Sequence, residues 1–409
     1  MSDAEASLVQ SIHATTTKAV FYAAGGGAQA LSWLLAVPGA SHTVLDARVP
    51  YAPAAMAELL GGAPATYASG ATASAMARAA YQQAAQLAAL GEPVVGLACT
   101  CALATDRPKQ GEHKVCVATH DGLSTRYWSL RLAKGARDRA GEDVVASRMA
   151  LHALAGACGG TLYPGAPGVP LDAALGLLPA ARGAAEPESV QESMEEVGDP
   201  LQALLAGRAC MVEFSGGHVF VDAPRGGRLY LPGSFNPLHD GHRGLLAAGS
   251  AACGGAREAL YELSVGNPDK GMLALDDVRQ RVAQFTETGL PLVVTQASLF
   301  TDKAKLFPGS AFVIGYDTAV RLVAPRYYAR PDGAPGEETA EMLLQLAAAG
   351  GRGCRFLVAG RVDEKKAFMT LADVAVPPQL QRMGLFQDIP ESAFRLDLSS
   401  TELRQESKR

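Results

Sequence analysis

The stretch RLYLPGSFNPLHDGHRGLLAAG, residues 228–249, constrains the fold more than any other part of the sequence. An apolar run passes through a turn containing glycine and proline into a helical pattern. His239 and His242 lie in that turn, although the 409-residue chain has only 8 histidines. Open α/β sheets bind ligands where a strand ends and leads into a helix. The stretch therefore predicts a parallel α/β sheet with a ligand site at this turn.

The residue types in the turn favour an anionic ligand. Gly233 lets the backbone come close to a ligand, and Gly241 permits a tight turn before the helix. A helix starting near His242 directs its N–H groups and the positive end of its dipole at the turn. His239 and His242 can both donate hydrogen bonds to phosphate oxygens. The alternative is a pair of surface histidines on a well-formed loop.

The full string, G-x-F-x-P-x-H-x-G-H over residues 233–242, resembles the phosphate-binding signature of the HxGH nucleotidyltransferase superfamily. The resemblance implies transfer of a nucleotidyl group from ATP or CTP with loss of pyrophosphate. It implies His239 and His242 as the catalytic pair and Mg²⁺ as a cofactor bound mainly through ATP. The ATP contacts that it implies within the turn are Gly233, Ser234 and Phe235.

A second segment near the end of the sequence, LDLSSTELR at residues 396–404, resembles the I-S-S-T-x-I-R box of the same superfamily. Taken alone, Ser399 followed by Glu402 is a capping box that starts a terminal helix. Together with the histidine turn, the segment predicts a second helix N-terminus directed at the ATP phosphates. The contacts expected there are Ser399, Ser400, Thr401 and Arg404.

A third segment, AFVIGYDTAVRLVAPRYY at residues 311–328, ends an apolar strand with Gly315 and Asp317. It resembles the G-x-D segment of the nicotinamide mononucleotide and nicotinic acid mononucleotide adenylyltransferases. The resemblance implies that Gly315 and Asp317 bind ATP, with the acid near the ribose. An aspartate that simply ends a strand is the alternative.

The tryptophan that stacks on the pyridine ring in those enzymes has no counterpart after residue 317. The two tryptophans, Trp33 and Trp128, both precede the histidine turn. Tyr327 or Tyr328 is the expected replacement as a stacking face for the acceptor.

A polar loop at residues 264–281, SVGNPDKGMLALDDVRQR, offers Asn267 for the acceptor and Lys270 for the triphosphate. The alternative for Lys270 is a solvated loop lysine. The SFNP form of the turn resembles the pyridine-nucleotide branch more than the cytidylyltransferases, which have G-T-F-D there. Two other functions stay open: a cytidylyltransferase acting on another phosphorylated acceptor, and a sensor or scaffold that binds nucleotides without turnover.

Residues 18–158 resemble the CinA carboxy-terminal domain, a nicotinamide mononucleotide amidohydrolase. FYAAGGG stands where that family has A-E-S-C-T-G-G, and VPYAPAAMAELLG where it has V-x-Y-S-N-x-A-K-x-x-L-L-G. The family's serine falls on Ala23 and its lysine on Met56, and only Tyr51 is retained. Without the nucleophile and its activating group, amide hydrolysis is not expected.

Other features of this region keep ligand binding and assembly open. Cys99, Thr100 and Cys101 are the remaining nucleophile candidates, although a hydrophobic strand explains the two cysteines better. The glycine run at 25–27 precedes a helix and predicts a phosphate site at its N-terminus. The basic residues of the 105–114 loop, which predict phosphate contacts, are Arg107, Lys109, His113 and Lys114. The resemblance also implies a homo-oligomer formed through this domain.

The chain is therefore predicted to be an α/β protein of two domains. A CinA-like α/β domain spans residues 1–160, and a Rossmann-like parallel-sheet nucleotidyltransferase domain spans 201–409. Residues 161–200, rich in glycine and proline and then acidic, are predicted to be a linker. The alanine-rich segment 71–91 predicts an amphipathic helix.

The charge and the cysteine content limit the classes of partner and the cellular compartment that the sequence predicts. Six acids without a base at residues 186–199 account for the formal net charge of −5, so no basic surface for nucleic acid is expected. No apolar run reaches the roughly 18 residues of a membrane span, and no signal sequence is recognisable at the N-terminus. Seven cysteines without CxxC spacing predict a reduced, cytoplasmic protein. The expected partners are ATP and a small mononucleotide.

Overall fold

The structure is a computed structural model that describes residues 1–107, 110–159, 171–177, 188–267, 271–328, 337–362 and 367–395. The chain divides into two compact units, Met1–Gly198 and Asp199–Arg409. Within the described ranges, no helix has the length and apolar character required to cross a bilayer.

The first unit contains a six-stranded mixed sheet. Its strands are β1 (Lys18–Ala24), β2 (Val44–Arg48), β3 (Val94–Ala102), β4 (His113–His120), β5 (Ser124–Leu132) and β6 (Val190–Glu196). They lie in the order β2-β1-β3-β4-β5-β6, in which β1 runs parallel to β2 and β3 and the other pairs are antiparallel. The helices are α1 (Asp3–His13), α2 (Ala28–Ala36), α3 (Ala40–Thr43), α4 (Pro53–Leu60), α5 (Gly70–Leu87), α6 (Arg139–Ala157) and α7 (Leu171–Leu175).

The alanine-rich helix predicted at 71–91 is confirmed as α5, which packs directly on the sheet. Its buried side includes Ala73, Ala77 and Ala80, which are small enough for a close approach. Gly96 on β3 makes that approach possible, because a Cβ atom there would lie 2.0 Å from the carbonyl oxygen of Ala77. Small residues on both elements therefore fix the contact between helix and sheet.

The segment predicted to be a linker, 161–200, contains regular structure where it is described. β6 pairs antiparallel with β5 along the edge of the sheet. Its acidic side chains are mostly exposed, and Glu195 accepts a hydrogen bond from Arg78 at 2.7 Å. Glu188, just before the strand, forms a partly buried two-point ion pair with Arg137 at 2.7 and 2.9 Å. The acidic run thus forms a charged edge strand, a common way to protect a sheet edge.

The second unit contains an eight-stranded sheet. Its strands are β7 (Met211–Ser215), β8 (His218–Val221), β9 (Leu229–Pro232), β10 (Ala259–Ser264), β13 (Leu292–Thr295), β14 (Ala311–Gly315), β15 (Arg355–Ala359) and β18 (Phe386–Ile389). Two short hairpins pair β11 (Gly266–Asn267) with β12 (Gly271–Met272) and β16 (Arg361–Val362) with β17 (Phe368–Met369). The helices are α8 (Pro200–Leu205), α9 (Asp240–Ala252), α10 (Leu275–Thr286), α11 (Phe300–Leu306), α12 (Tyr316–Leu322), α13 (Glu338–Gly351) and α14 (Pro378–Arg382).

The strand order of this sheet locates the histidine turn. The order is β18-β15-β14-β9-β10-β13-β7-β8, and all strands from β18 to β13 are parallel. Numbered along the chain, these six strands follow the order 3-2-1-4-5-6 of doubly wound α/β sheets. The direction of winding reverses between β9 and β14, and a ligand crevice is expected at the carboxyl ends of these two strands. The α/β class with parallel strands is confirmed, and the turn follows β9.

Candidate functional site

In the turn after β9, Gly233 leaves room for the buried ring of Phe235. Phe235 adopts a φ of 44°, in the left-handed region, and its side chain is completely buried. A Cβ atom on Gly233 would lie 2.6 Å from the ring of Phe235, so a larger residue would displace that ring. Phe235 was expected to contact ATP. Its burial leaves only its backbone for that role.

The ring of Phe235 is part of an aromatic cluster that reaches His242. It meets His242 edge to face, with ring centroids 5.1 Å apart. On other sides it contacts Tyr261 at 5.5 Å and Phe285 at 5.1 Å in the same manner. These edge-to-face contacts hold the imidazole of His242 against the core. Tyr261 and Phe285 were not predicted, because both come from other elements of the fold.

The two histidines lie together at the start of α9. Their ring centroids are 3.8 Å apart with an angle of 31° between the planes. His239 is the N-cap residue of the helix, and its backbone N–H donates to Nδ1 of His242 at 3.3 Å. Since Nδ1 accepts, a neutral His242 carries its proton on Nε2 and can donate from that atom.

Both histidines are held neutral at pH 7 by their surroundings. Burial lowers the pKa of His242 to about 4, with a further contribution from the nearby His239. Burial also lowers the pKa of His239, partly opposed by the carboxylate of Asp240. The turn therefore offers hydrogen-bond donors, and it gains positive charge only when an anion raises these pKa values.

We expect an anionic ligand that binds at this turn to be accompanied by uptake of a proton. A bound anion raises the pKa of His242 above its value of about 4, so affinity for Mg-ATP should rise as the pH falls from 7 towards 5. The measurement is titration calorimetry at pH 6 in two buffers of different ionisation enthalpy. The binding enthalpy should depend more strongly on the buffer for the natural protein than for His242→Gln. Protonation of the nucleotide itself contributes equally to both proteins, so the difference reports on His242. Identical buffer dependence for the two proteins would contradict proton uptake by His242.

The predicted ATP residues of the third segment lie on the strand next to the turn. Gly315 ends β14 and caps α12, and Asp317 lies in the first turn of that helix. Because β14 is parallel to β9 and adjacent to it, both carboxyl ends lie at the same edge of the sheet. Asp317 forms a half-exposed ion pair with Arg361 on β16. Arg361 was not predicted, although its place directly after an apolar run was a usable signal.

The two tyrosines proposed for the acceptor differ in environment. Tyr328 is 6% exposed and donates its hydroxyl to the carbonyl of Leu322 at 2.8 Å, and burial raises its pKa. Tyr327 is partly buried, and its hydroxyl accepts from Arg326 at 3.0 Å. Tyr328 is thus a core residue, and Tyr327 is the more exposed of the two, with the guanidinium of Arg326 4.8 Å from the centre of its ring.

In the second unit, six of the predicted ligand contacts have side chains outside the described part of the structure. Asn267 lies in β11 opposite Gly271, and the structure does not describe its side chain. The residues that lie outside the described ranges are Lys270, Ser399, Ser400, Thr401 and Arg404.

In the first unit, the positions of the implied amidase residues lack the expected chemistry. Ala23 is buried in β1 and Met56 is buried in α4. Tyr51 is 69% exposed, and its hydroxyl lies 3.5 Å from a guanidinium nitrogen of Arg139. Arg139 also donates to the carbonyl of Gly25 at 3.2 Å. A guanidinium stays protonated and cannot replace a lysine as a base.

The expected phosphate site at the glycine run is already engaged by a carboxylate. The backbone N–H of Gly27, the N-cap residue of α2, donates to Oδ1 of Asp143 at 2.7 Å. A negative charge on this donor repels a second anion. Nor is His113 part of an exposed basic loop, because it lies in β4 and bonds the buried Glu142 at 2.7 Å. Arg107 is exposed, and Lys109 lies outside the described residues.

Cys99 and Cys101 are poor nucleophiles in this fold. Both are buried on β3, with their sulfur atoms 3.5 Å apart. The hydrogen bond with Cys99, together with burial, raises the pKa of Cys101 well above its usual range. A thiol that stays protonated reacts slowly.

No protein-family model and no curated protein matches the chain. Among solved structures, it is similar to the competence/damage-inducible protein CihA from Agrobacterium tumefaciens, at 18% identity and a TM-score of 0.32 over 38% of this chain and 97% of that one. It is also similar to a CinA superfamily protein from Escherichia coli, at 19% identity and a TM-score of 0.30 over 38% and 91% of the two chains.

Proposed function

We propose that the second unit transfers AMP from Mg-ATP to a pyridine mononucleotide, with release of pyrophosphate and formation of a dinucleotide. The observation that carries this proposal is the pair His239 and His242, 3.8 Å apart at the start of α9. The pair follows β9, at the point where the winding of a 3-2-1-4-5-6 sheet reverses. The resemblance of residues 233–242 to the HxGH signature agrees with that location.

In the proposed reaction, a phosphate oxygen of the acceptor attacks the α-phosphorus of ATP. The bond from that phosphorus to the bridging oxygen breaks, and its electron pair leaves with pyrophosphate. Nε2 of His242 and the positive end of α9 stabilise the charge that accumulates on the phosphate oxygens. No covalent intermediate is required, because positioning and electrostatics lower the barrier.

Mg²⁺ enters this reaction with ATP as part of the substrate. Triphosphate oxygens and water are the usual ligands of this ion in such sites. The chain's own contribution is to bind the complex through the turn.

The experiment that tests this proposal combines a panel of nucleoside triphosphates with a panel of phosphorylated acceptors. Pyrophosphate release is measured for each pair. We expect release with ATP and with nicotinamide mononucleotide or nicotinic acid mononucleotide. Release only with CTP and a choline-like phosphate would replace the proposal by a cytidylyltransferase. Binding of ATP without product during long incubation would replace it by a nucleotide sensor.

For the first unit we propose that it binds a mononucleotide or self-associates and does not hydrolyse amides. The intact chain is expected to release no ammonia from nicotinamide mononucleotide, because Ala23 and Met56 replace both groups of the implied mechanism. The measurement is an ammonia assay with a Cys99→Ser, Cys101→Ser double variant as the control. Ammonia release by the natural chain that the double variant loses would show that a cysteine acts as the nucleophile.

A further inference from the structure

The side chain of Gln284, on α10, bonds the histidine turn at two points. Its Oε1 accepts from the backbone N–H of Leu238 at 2.8 Å, and its Nε2 donates to the carbonyl of Phe235 at 3.1 Å. Leu238 is the residue directly before His239. One carboxamide therefore bridges the two ends of the Phe235–Leu238 segment.

Two further contacts tie the turn to the same helix. Arg281, one turn earlier on α10, donates to the carbonyl of Ser234 at 3.0 Å. Phe285, directly after Gln284, packs edge to face on the ring of Phe235 at 5.1 Å. The turn is thus held from a helix that does not contain the histidines.

We propose that Gln284 is a positioning residue that fixes the backbone from Phe235 to Leu238 and, through it, the rings of His239 and His242. The inference deepens the proposed function and rests on it for its kinetic readout. Gln284 satisfies both a donor and an acceptor of this segment, so its loss removes the partners of two backbone groups. A preorganised phosphate site tolerates displacements of only about 0.5 Å.

The test compares Gln284→Met with Gln280→Met, a matched change one turn earlier on the exposed side of α10. Methionine keeps the length of the side chain and removes both hydrogen bonds. We expect Gln284→Met to lower kcat for pyrophosphate release about 10- to 100-fold, with a smaller change in KM for ATP. Gln280→Met should keep the natural kcat and KM.

A second readout needs no turnover. The histidine ring signals of the intact protein are titrated by NMR without nucleotide. A loosened turn admits water, so the pKa of His242 should rise from about 4 towards that of a solvated histidine in Gln284→Met and not in Gln280→Met. If Gln284→Met does not fold, Gln284→Leu replaces it, since leucine also removes both hydrogen bonds and adds no charge that would itself raise the pKa of His242.

The outcomes separate this inference from the proposed function. Active natural protein with equal kcat for the Gln284 and Gln280 variants would overturn the positioning role and leave the function standing. Absence of pyrophosphate release by the natural protein would overturn the function. The histidine titration then decides the positioning role, because an unchanged pKa of His242 in the Gln284 variant would overturn it and a raised pKa would support it.

Discussion

Replacing His242 by alanine is expected to slow pyrophosphate release from Mg-ATP by about 100-fold or more. The change removes the Nε2 donor that the hydrogen bond at Nδ1 leaves available for phosphate. It also removes a ring that the Phe235 cluster holds in place before substrate arrives, so the lost interaction is preorganised. Such donors act mainly on the transition state, and the loss should appear in kcat more than in KM.

The matched control for this variant is His218→Ala, an exposed histidine on β8 at the edge of the same sheet. This variant removes the same kind of side chain from the same unit, at a position that has no part in the proposed reaction. Equal rates for the two variants would show that His242 does not take part in the reaction.

Replacing Lys303 by methionine is expected to lower the free energy of unfolding by about 3–5 kcal/mol. The ammonium of Lys303, on α11, lies 2.6 Å from both carboxylate oxygens of Glu262, and the two side chains are 3% and 0% exposed. Thr295 also donates to Glu262 at 2.6 Å. Without the ammonium, the carboxylate is buried without a counter-ion.

This ion pair lies close to the candidate site, because the backbone carbonyl of Glu262 accepts from the N–H of Gly233 at 2.9 Å. The free energy of unfolding is measured by urea unfolding followed by far-UV circular dichroism. Tryptophan fluorescence is unsuitable, because Trp33 and Trp128 both lie in the first unit. Lys305→Met is the control, because this lysine has an exposed ion pair on the same helix. A difference below about 1 kcal/mol between the two variants would contradict the expected cost.

The sequence predicted the parts of this site that depend on neighbouring residues. The apolar run, the glycine turn and the helix that follows are local signals, and the structure places them as β9, the turn and α9. The position of the turn beside β14 depends on pairing between strands about 80 residues apart, for which the sequence carries no local signal.

The predictions that fail in detail concern the direction and the partners of side chains. A motif does not reveal that Phe235 is turned inwards, because this follows from a φ of 44° and a cluster built from other elements. The glycine run predicted an open helix N-terminus, yet Asp143 reaches it from 116 residues further along the chain. In each case a residue distant in sequence determines the environment.

The most direct test of the proposed reaction is formation of a dinucleotide by the full chain. Mg-ATP and nicotinamide mononucleotide are incubated with the protein, and the products are separated by chromatography and identified by mass. We expect dinucleotide and pyrophosphate in equal amounts, with both lost in a His239→Ala, His242→Ala double variant. ATP bound but unchanged, or dinucleotide formed equally well by the double variant, would contradict it.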